Sequence, residues 1–255
     1  MQHLEQNKNI KPIIIIPSRL NSTRLPRKAL EIIDGKPMIW HVWSNAIKAD
    51  IAPVLVATDS NEIKDVIIQN GGNAILTDKK HASGSDRIYE ALNIFDQKKF
   101  YNFVINLQGD MPFFPSNLFE TILSNVKSED LITLVCLATE KEVTDPNVVK
   151  AVVSWDAKIK NFGNALYFSR SKVPYNSDEY WHHIGIYGWK RDSLKKFVLS
   201  KPTQLELTEK LEQLRVLEND MKIKVVKIEQ NLIGVDTKED LDRIRKLMEK
   251  NLKVN

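Results

Sequence analysis

Cysteine is nearly absent from this sequence. Cys136 is the only one, which excludes an internal disulfide and any zinc site built from several thiolates, and fits a reducing compartment. Set between Val135 and Leu137, it reads as core filler. Glycine is scarce at nine residues in 255, and neither the dinucleotide-binding glycine fingerprint nor the P-loop pattern occurs, so phosphate recognition would rest on side-chain charge. Long apolar runs are missing too. The stretch 13–16 is far too short for a signal-peptide core or a membrane span, so a cytoplasmic protein with no membrane partner is expected. There is no large excess of one charge: 37 Lys and Arg stand against 33 Asp and Glu, for a net +4. That is too modest for a chain that coats nucleic acid and fits an anionic small-molecule substrate better. No repeat, low-complexity tract or Gly/Ser linker marks a boundary, so 1–255 is expected to form a single domain.

With 42% hydrophobic and 27% charged residues, the chain can bury a large core. Short β-branched runs at 13–16, 54–57, 73–76 and 103–107 read as strands. Helices are expected between them: one from Pro37 to about residue 49, one capped by Asp59 or Ser60 and running to 69, and one capped by Ser83 or Ser85 and running to 95. This alternation predicts an α/β fold, a Rossmann-like, mostly parallel sheet flanked by helices. Beyond 130 the rhythm changes: 131–138, 148–155, 165–169 and 184–189 are strand-like without long helices between most of them. An inserted antiparallel β element over roughly 131–190 is therefore expected. A helix over 205–217, with Leu207, Leu211, Leu214 and Leu217 on one stripe, a strand near 223–228 and a helix near 238–250 complete the chain.

Chemistry concentrates where strands end. After the first strand comes a loop carrying Ser18, Arg19, Arg24, Arg27 and Lys28, at the carboxyl edge where parallel sheets hold ligands. Arg supplies a bidentate fork and Lys a point charge, which suits a triphosphate, although a solvated basic loop would look the same. Gln108, Gly109, Asp110, Met111 and Pro112 follow the strand at 103–107, and Asp236 precedes the last helix. Either aspartate could serve Mg²⁺, which takes one or two carboxylates alongside water and phosphate. Taken alone, Asp110 could end a strand and Asp236 could cap a helix. Likewise Asp86 and Arg87 could be a solvent-facing first turn, His183 a structural histidine, Tyr187 a sheet residue and Arg215 a solvated helix charge.

In consistent order from about Pro12 to Met248, these segments resemble the CMP-Kdo synthetases, the 3-deoxy-manno-octulosonate (Kdo) cytidylyltransferases, within the nucleotide-diphospho-sugar transferase type of fold. The resemblance implies that Arg19, Arg24 and Lys28 hold the phosphates of CTP and that backbone near Ser18 reads the base. The segment His81 to Arg87, with Ser83 and Gly84, is implied to lie beside the cytosine. Asp110 and Asp236 are implied as the metal pair, with Mg²⁺ as cofactor. Gln108, Arg170, His183, Tyr187, Glu212 and Gln213 are implied to hold Kdo, with Arg170 on its carboxylate, and a homodimer through the inserted β element is implied as well. Departures from the family pattern include Arg27 for Gly, Ala29 for Pro, Ser85 for Thr, Met111 for Glu and Trp189 for Tyr. Since glycine serves positive φ or close approach, Arg27 implies a normal backbone angle or a slightly rebuilt loop.

The reaction so implied is in-line attack of the anomeric hydroxyl of Kdo on the α-phosphorus of CTP. Pyrophosphate leaves with no covalent enzyme intermediate, and Arg19, Lys28 and Asp110 carry the catalysis. No spacing identifies a general base. Rival readings are a cytidylyltransferase for 8-amino-Kdo or sialic acid, and a catalytically inactive nucleotide-binding protein.

Overall fold

The computed structural model describes residues 9–252 apart from 23, 116 and 128. The chain divides into two compact units. The first comprises Lys11–Tyr101, Ile105–Phe119 and the residues from Leu232 onward. It opens with β1 (Pro12–Ser18), whose Ile13, Ile14, Ile15 and Ile16 are wholly buried. A four-isoleucine run without alternation is the signature of a strand covered on both faces. After a 3-10 turn at Lys28–Leu30, β2 (Ile32–Ile33) and β3 (Lys36–Pro37) pair as a hairpin around Asp34 and Gly35, both at positive φ. Such two-residue turns need that conformation, and Asp-Gly provides it at little strain.

Helix α1 (Met38–Lys48) follows, then β4 (Val54–Thr58), α2 (Asn61–Gln69), β5 (Asn73–Leu76), α3 (Gly84–Phe95) and β6 (Phe103–Asn106). The strand order in this unit is β5-β4-β1-β6, with β1, β4 and β5 parallel. Ser60 caps α2 and Ser83 caps α3, the latter through a full capping box with Asp86. Both choices left open by the sequence are thereby decided, because these hydroxyls accept from the amides three residues on, Ile63 at 3.5 Å and Asp86 at 3.2 Å.

Helix α4 (Leu118–Ser124) leads on to β7 (Leu131–Leu137), α5 (Glu140–Thr144), β8 (Lys150–Trp155), β9 (Phe162–Ser169), β10 (Trp181–Lys190), α6 (Arg191–Leu199), α7 (Gln204–Glu209), α8 (Gln213–Glu218) and β11 (Ile223–Lys227). The second unit runs over Glu120–Asn231 with Asn102–Val104. It is wider than the expected insertion at 131–190, because β11 returns to pair parallel with β7 and antiparallel with β9, taking α6 to α8 with it. Antiparallel pairs β7/β10 and β8/β9 make up the rest, in the order β10-β7-β11-β9-β8.

One helix was expected over 205–217, and two are found. Lys210 adopts a left-handed conformation (φ 58°, ψ 47°) that ends α7. A residue there interrupts the helical hydrogen bonds, and Leu207 is left 65% exposed while Leu211 and Leu214 are buried. Cys136 is buried, and burial, with a smaller contribution from Glu142, pushes its thiol up to about 12, which fits an inert core residue. The final helix, α9 (Lys238–Leu252), rejoins the first unit, where Leu241 and Ile244 pack with Leu25, Ile33, Met38 and Val235. Among the described residues no helix is long and apolar enough to cross a membrane.

Candidate active site

In the first unit, a cavity of about 300 Å³ gathers Ser18, Arg19, Arg24, Lys28, Ser83, Gly84, Gln108, Asp110 and Asp236. Every residue expected for the nucleotide and the metal thus lines one space. Three local features bring them there. Leu25, in the middle of the basic loop, is buried against Val235 and α9. The Val235 N–H donates to the Asp110 carbonyl at 2.9 Å, which seats the segment bearing Asp236 beside the end of β6. Gly109 permits the close approach of β1, since a Cβ there would come within 2.6 Å of the Pro17 carbonyl oxygen.

The charges are arranged as an alternating cluster. Lys28 Nζ donates to Asp110 Oδ2 at 2.8 Å and to Asp236 Oδ1 at 3.0 Å, and Arg24 Nη2 lies 2.9 Å from Asp236 Oδ2. Burial lowers the Lys28 pKa, but the charges of Asp110 and Asp236 and their hydrogen bonds outweigh it and leave the ammonium above its ordinary range. Asp236 is therefore not the helix cap it resembles in isolation. Thr237 caps α9, its Oγ1 accepting from the Asp240 N–H at 3.2 Å while Asp240 accepts from the amides of Asp236 and Thr237. The two aspartates converge on one cation, the donor set that suits Mg²⁺ completed by phosphate oxygens. Met111 is buried and adds no carboxylate, and among the described residues no group of three or more His, Cys, Asp or Glu is placed to hold a metal ion.

Arg27 corrects an expectation, because its backbone is left-handed, at φ 55° and ψ 28°. The loop has kept the conformation that suits glycine, and the Arg27 side chain turns to α2 to form an exposed pair with Glu62, Nη1 donating to Oε1 at 3.1 Å. For Arg87 the structure decides between two open readings, since it is 4% exposed and not part of a solvent-facing turn. It donates to Thr77 Oγ1 at 2.6 Å and to Asp59 Oδ2 at 3.2 Å, while Asp59 Oδ1 accepts from the Leu20 N–H at 2.9 Å. This chain tethers the basic loop to α3. The sequence presented Asp59 only as a cap candidate, and nothing local distinguishes it from one.

Of the residues expected to hold the sugar, Gln108 belongs to the first unit and the other five to the second. In the second unit His183, Tyr187 and Gln213 meet. Tyr187 Oη lies 3.4 Å from Gln213 Oε1, Gln213 Nε2 lies 3.4 Å from His183 Nδ1, and His183 Nε2 lies 3.0 Å from Thr133 Oγ1. Burial pushes the His183 imidazole down to about 3, with His182 adding to the shift, so the ring is neutral. Burial, and then the charge of Glu212, raises the Tyr187 phenol well above its ordinary range, so it keeps its proton. Arg170 donates from Nε to the Glu209 carbonyl and from Nη1 to the Pro146 carbonyl, each at 3.0 Å. Arg215, read as a solvated charge, is 5% exposed and paired with Glu206 at 2.5 Å. Burying Gln213 and Leu214 on α8 carries Arg215 inward as well. Thr133 is the residue of this network that sequence reading missed, since an isolated threonine in an apolar strand carries no signal.

The profile of the cytidylyltransferase family matches residues 13–223. The chain is similar to the 3-deoxy-manno-octulosonate cytidylyltransferase of Bartonella quintana (strain Toulouse), with 48% identity over 242 residues spanning 94% of this chain and 99% of that one. It is also similar to the protein of that name from Rhodospirillum rubrum, 47% identical over 241 residues, 93% and 95% of the two chains. Among solved structures, CMP:2-keto-3-deoxy-manno-octonic acid synthetase complexed with CTP matches with a TM-score of 0.85 and 36% identity, covering 94% of this chain and 99% of that one. A 4-diphosphocytidyl-2C-methyl-D-erythritol synthase from Anaerococcus prevotii shares the fold at a TM-score of 0.65 and 14% identity, over 95% and 100%.

Proposed function

The chain belongs to the cytidylyltransferase family, and we propose that it transfers CMP from CTP to the anomeric hydroxyl of Kdo, giving CMP-Kdo and pyrophosphate for lipopolysaccharide synthesis. The observation that carries this reading is the meeting of Arg24, Lys28, Asp110 and Asp236 through ion pairs of 2.8–3.0 Å inside one cavity. Arg19, Arg24 and Lys28 orient the triphosphate so that the α-phosphorus is open to in-line attack. As charge builds on the phosphoryl and leaving oxygens, the cations among them stabilise it. Ser18, Ser83 and Gly84 face the nucleoside.

Asp110 and Asp236 would hold Mg²⁺, which when bound neutralises charge on the phosphates and polarises the attacked phosphoryl group. Lys28 then exchanges its carboxylate partners for phosphate oxygens, a swap its long, flexible stem permits. On the sugar side, Arg170 offers a cation to the Kdo carboxylate, while His183, Tyr187, Glu212 and Gln213 hydrogen-bond and orient the hydroxyls. We assign the protein to the cytoplasm as a homodimer, which fractionation and sedimentation would test.

Pyrophosphate release is the direct assay. With Mg²⁺ and Kdo, turnover is expected with CTP and not with ATP, GTP or UTP. Faster turnover with 8-amino-Kdo or sialic acid would reassign the sugar. CTP binding without release for any sugar would overturn the enzymatic reading.

A further inference from the structure

Thr133 sits wholly buried on β7, opposite an irregularity in β10 between Ile184 and Tyr187. At that irregularity two carbonyls face its hydroxyl, Ile186 O at 2.9 Å and Ile184 O at 3.2 Å. Carbonyl oxygens only accept, so the hydroxyl proton must point at them; turned away, the threonine oxygen would face two other oxygens lone pair to lone pair. His183 Nε2, 3.0 Å away on the same oxygen, must therefore be the protonated nitrogen and donate to Thr133. With the imidazole neutral, Nδ1 becomes an acceptor for the amide of Gln213 at 3.4 Å. Gln213 Oε1 is then the acceptor for the Tyr187 hydroxyl, also at 3.4 Å. Each step follows from the one before.

We infer that Thr133 is a positioning residue that sets the direction of the whole chain Tyr187 → Gln213 → His183 → Thr133 → β10 carbonyl. This rests on the reading of His183, Tyr187 and Gln213 as sugar contacts. With the Gln213 amide turned over and the other histidine tautomer, the reverse direction makes as many hydrogen bonds between Thr133 and Tyr187, so the two directions differ in what they leave at their ends. It would take the Thr133 proton away from the β10 carbonyls and turn the Tyr187 proton outward. In the direction Thr133 enforces, the Tyr187 oxygen is left to accept. The network thereby selects a ligand hydroxyl that donates, a distinction that a neutral histidine cannot make unless its tautomer is held. Phe168, with its ring centroid 4.8 Å from that of His183, restrains the ring but has no bearing on which nitrogen carries the proton.

The test needs two measurements on the full chain. First, two-bond nitrogen–proton correlations from the His183 ring, assigned with His183→Gln, should show the Nε2–H tautomer in the wild type; an Nδ1–H ring would overturn the inference without any variant at Thr133. Second, Thr133→Val removes the hydroxyl at nearly constant shape, and Thr133→Ser keeps it. The valine variant is expected to raise KM for the sugar roughly tenfold, as losing one buried hydrogen-bond partner does, with KM for CTP unchanged, and serine is expected to restore it. A serine variant that loses as much as the valine variant would show that the hydroxyl alone does not set the affinity, and a serine loss with valine unaffected would point to methyl packing; either result sinks the idea. If Thr133→Val alone leaves the sugar KM unmoved while Tyr187→Phe raises it, only this inference fails. If Tyr187→Phe and His183→Gln leave it unmoved as well, the sugar-site reading fails with it.

Discussion

Under the proposed function the two units would meet their ligands with different chemistry. In the first, the cavity is walled by charges that neutralise one another: Lys28 joins two carboxylates and Arg24 shares one of them, with Arg24 and Asp236 both about half exposed. In the second, the expected sugar contacts His183, Tyr187 and Gln213 are buried and uncharged, joined end to end. A triphosphate brings charge of its own, so its site needs mobile counter-ions that can change partners. Apart from the carboxylate assigned to Arg170, a polyhydroxylated ring brings direction, and a neutral hydrogen-bonded network reads direction without the desolvation penalty of buried ions.

The largest effects should come from the charged unit. Asp110→Ala should abolish measurable pyrophosphate release while leaving the circular dichroism spectrum intact. Lys28→Gln should slow turnover by about 10² to 10³, the usual loss for one preorganised donor, and Lys28→Glu should be worse still. Equal rates for the two Lys28 variants would mean that its charge is not what matters, and the contrast between the units would weaken.

Next comes the framework under α8. Arg215→Ala strands the Glu206 carboxylate in a buried setting, and breaking such a pair is expected to reduce stability by roughly 3–5 kcal/mol, read from urea unfolding. Converting both partners to apolar residues should recover much of that loss.

The neutral unit should show itself in pH dependence. His183 has its imidazole pushed down to about 3 in the folded state, against about 6.5 when unfolded. Above that unfolded value the histidine makes no demand. As pH falls from about 6.5 towards 3, the unfolded chain binds a proton that the folded chain refuses, so stability drops by up to about 1.4 kcal/mol per pH unit. His182, also pushed down by burial, acts with the same sign. His183→Gln should flatten the profile over this window in thermal melts, and an unchanged slope would show that the ring is not buried neutral.

The smallest effect belongs to the loop. Arg27→Gly should relieve a left-handed non-glycine residue at the loss of an ion pair exposed on both sides. A rise in Tm of about 2 °C is expected, with a fall indicating that the Glu62 contact outweighs the backbone.

Much of this was legible beforehand, and for local reasons. The isoleucine run of β1, the Ser83 and Asp86 capping box and the β-branched runs of β4 to β6 carry their structure in their own residue order. The basic loop and the aspartates stood out because strand ends hold ligands. Where local pattern left a choice open or misled, a distant partner decided. Taken alone Asp236 could be a cap or a ligand, and Lys28, 208 residues earlier in the chain, claims its carboxylate. Arg215 looks solvated until Glu206 on the preceding helix receives it, and 205–217 looks like one helix until Lys210 turns left-handed.

The sequence by itself determined the longer strands, the three helices of the first half and the last helix, and which residues bear the charge, because periodicity, capping and composition act over a few residues; the short helices at Leu118–Ser124, Glu140–Thr144 and Arg191–Leu199 were not among them. Only the tertiary structure decided which cation meets which carboxylate, which arginines are buried, and that a threonine of β7 lies against the carbonyls of β10. Those outcomes depend on contacts between residues tens to hundreds of positions apart, and no local pattern encodes which of several similar side chains will arrive.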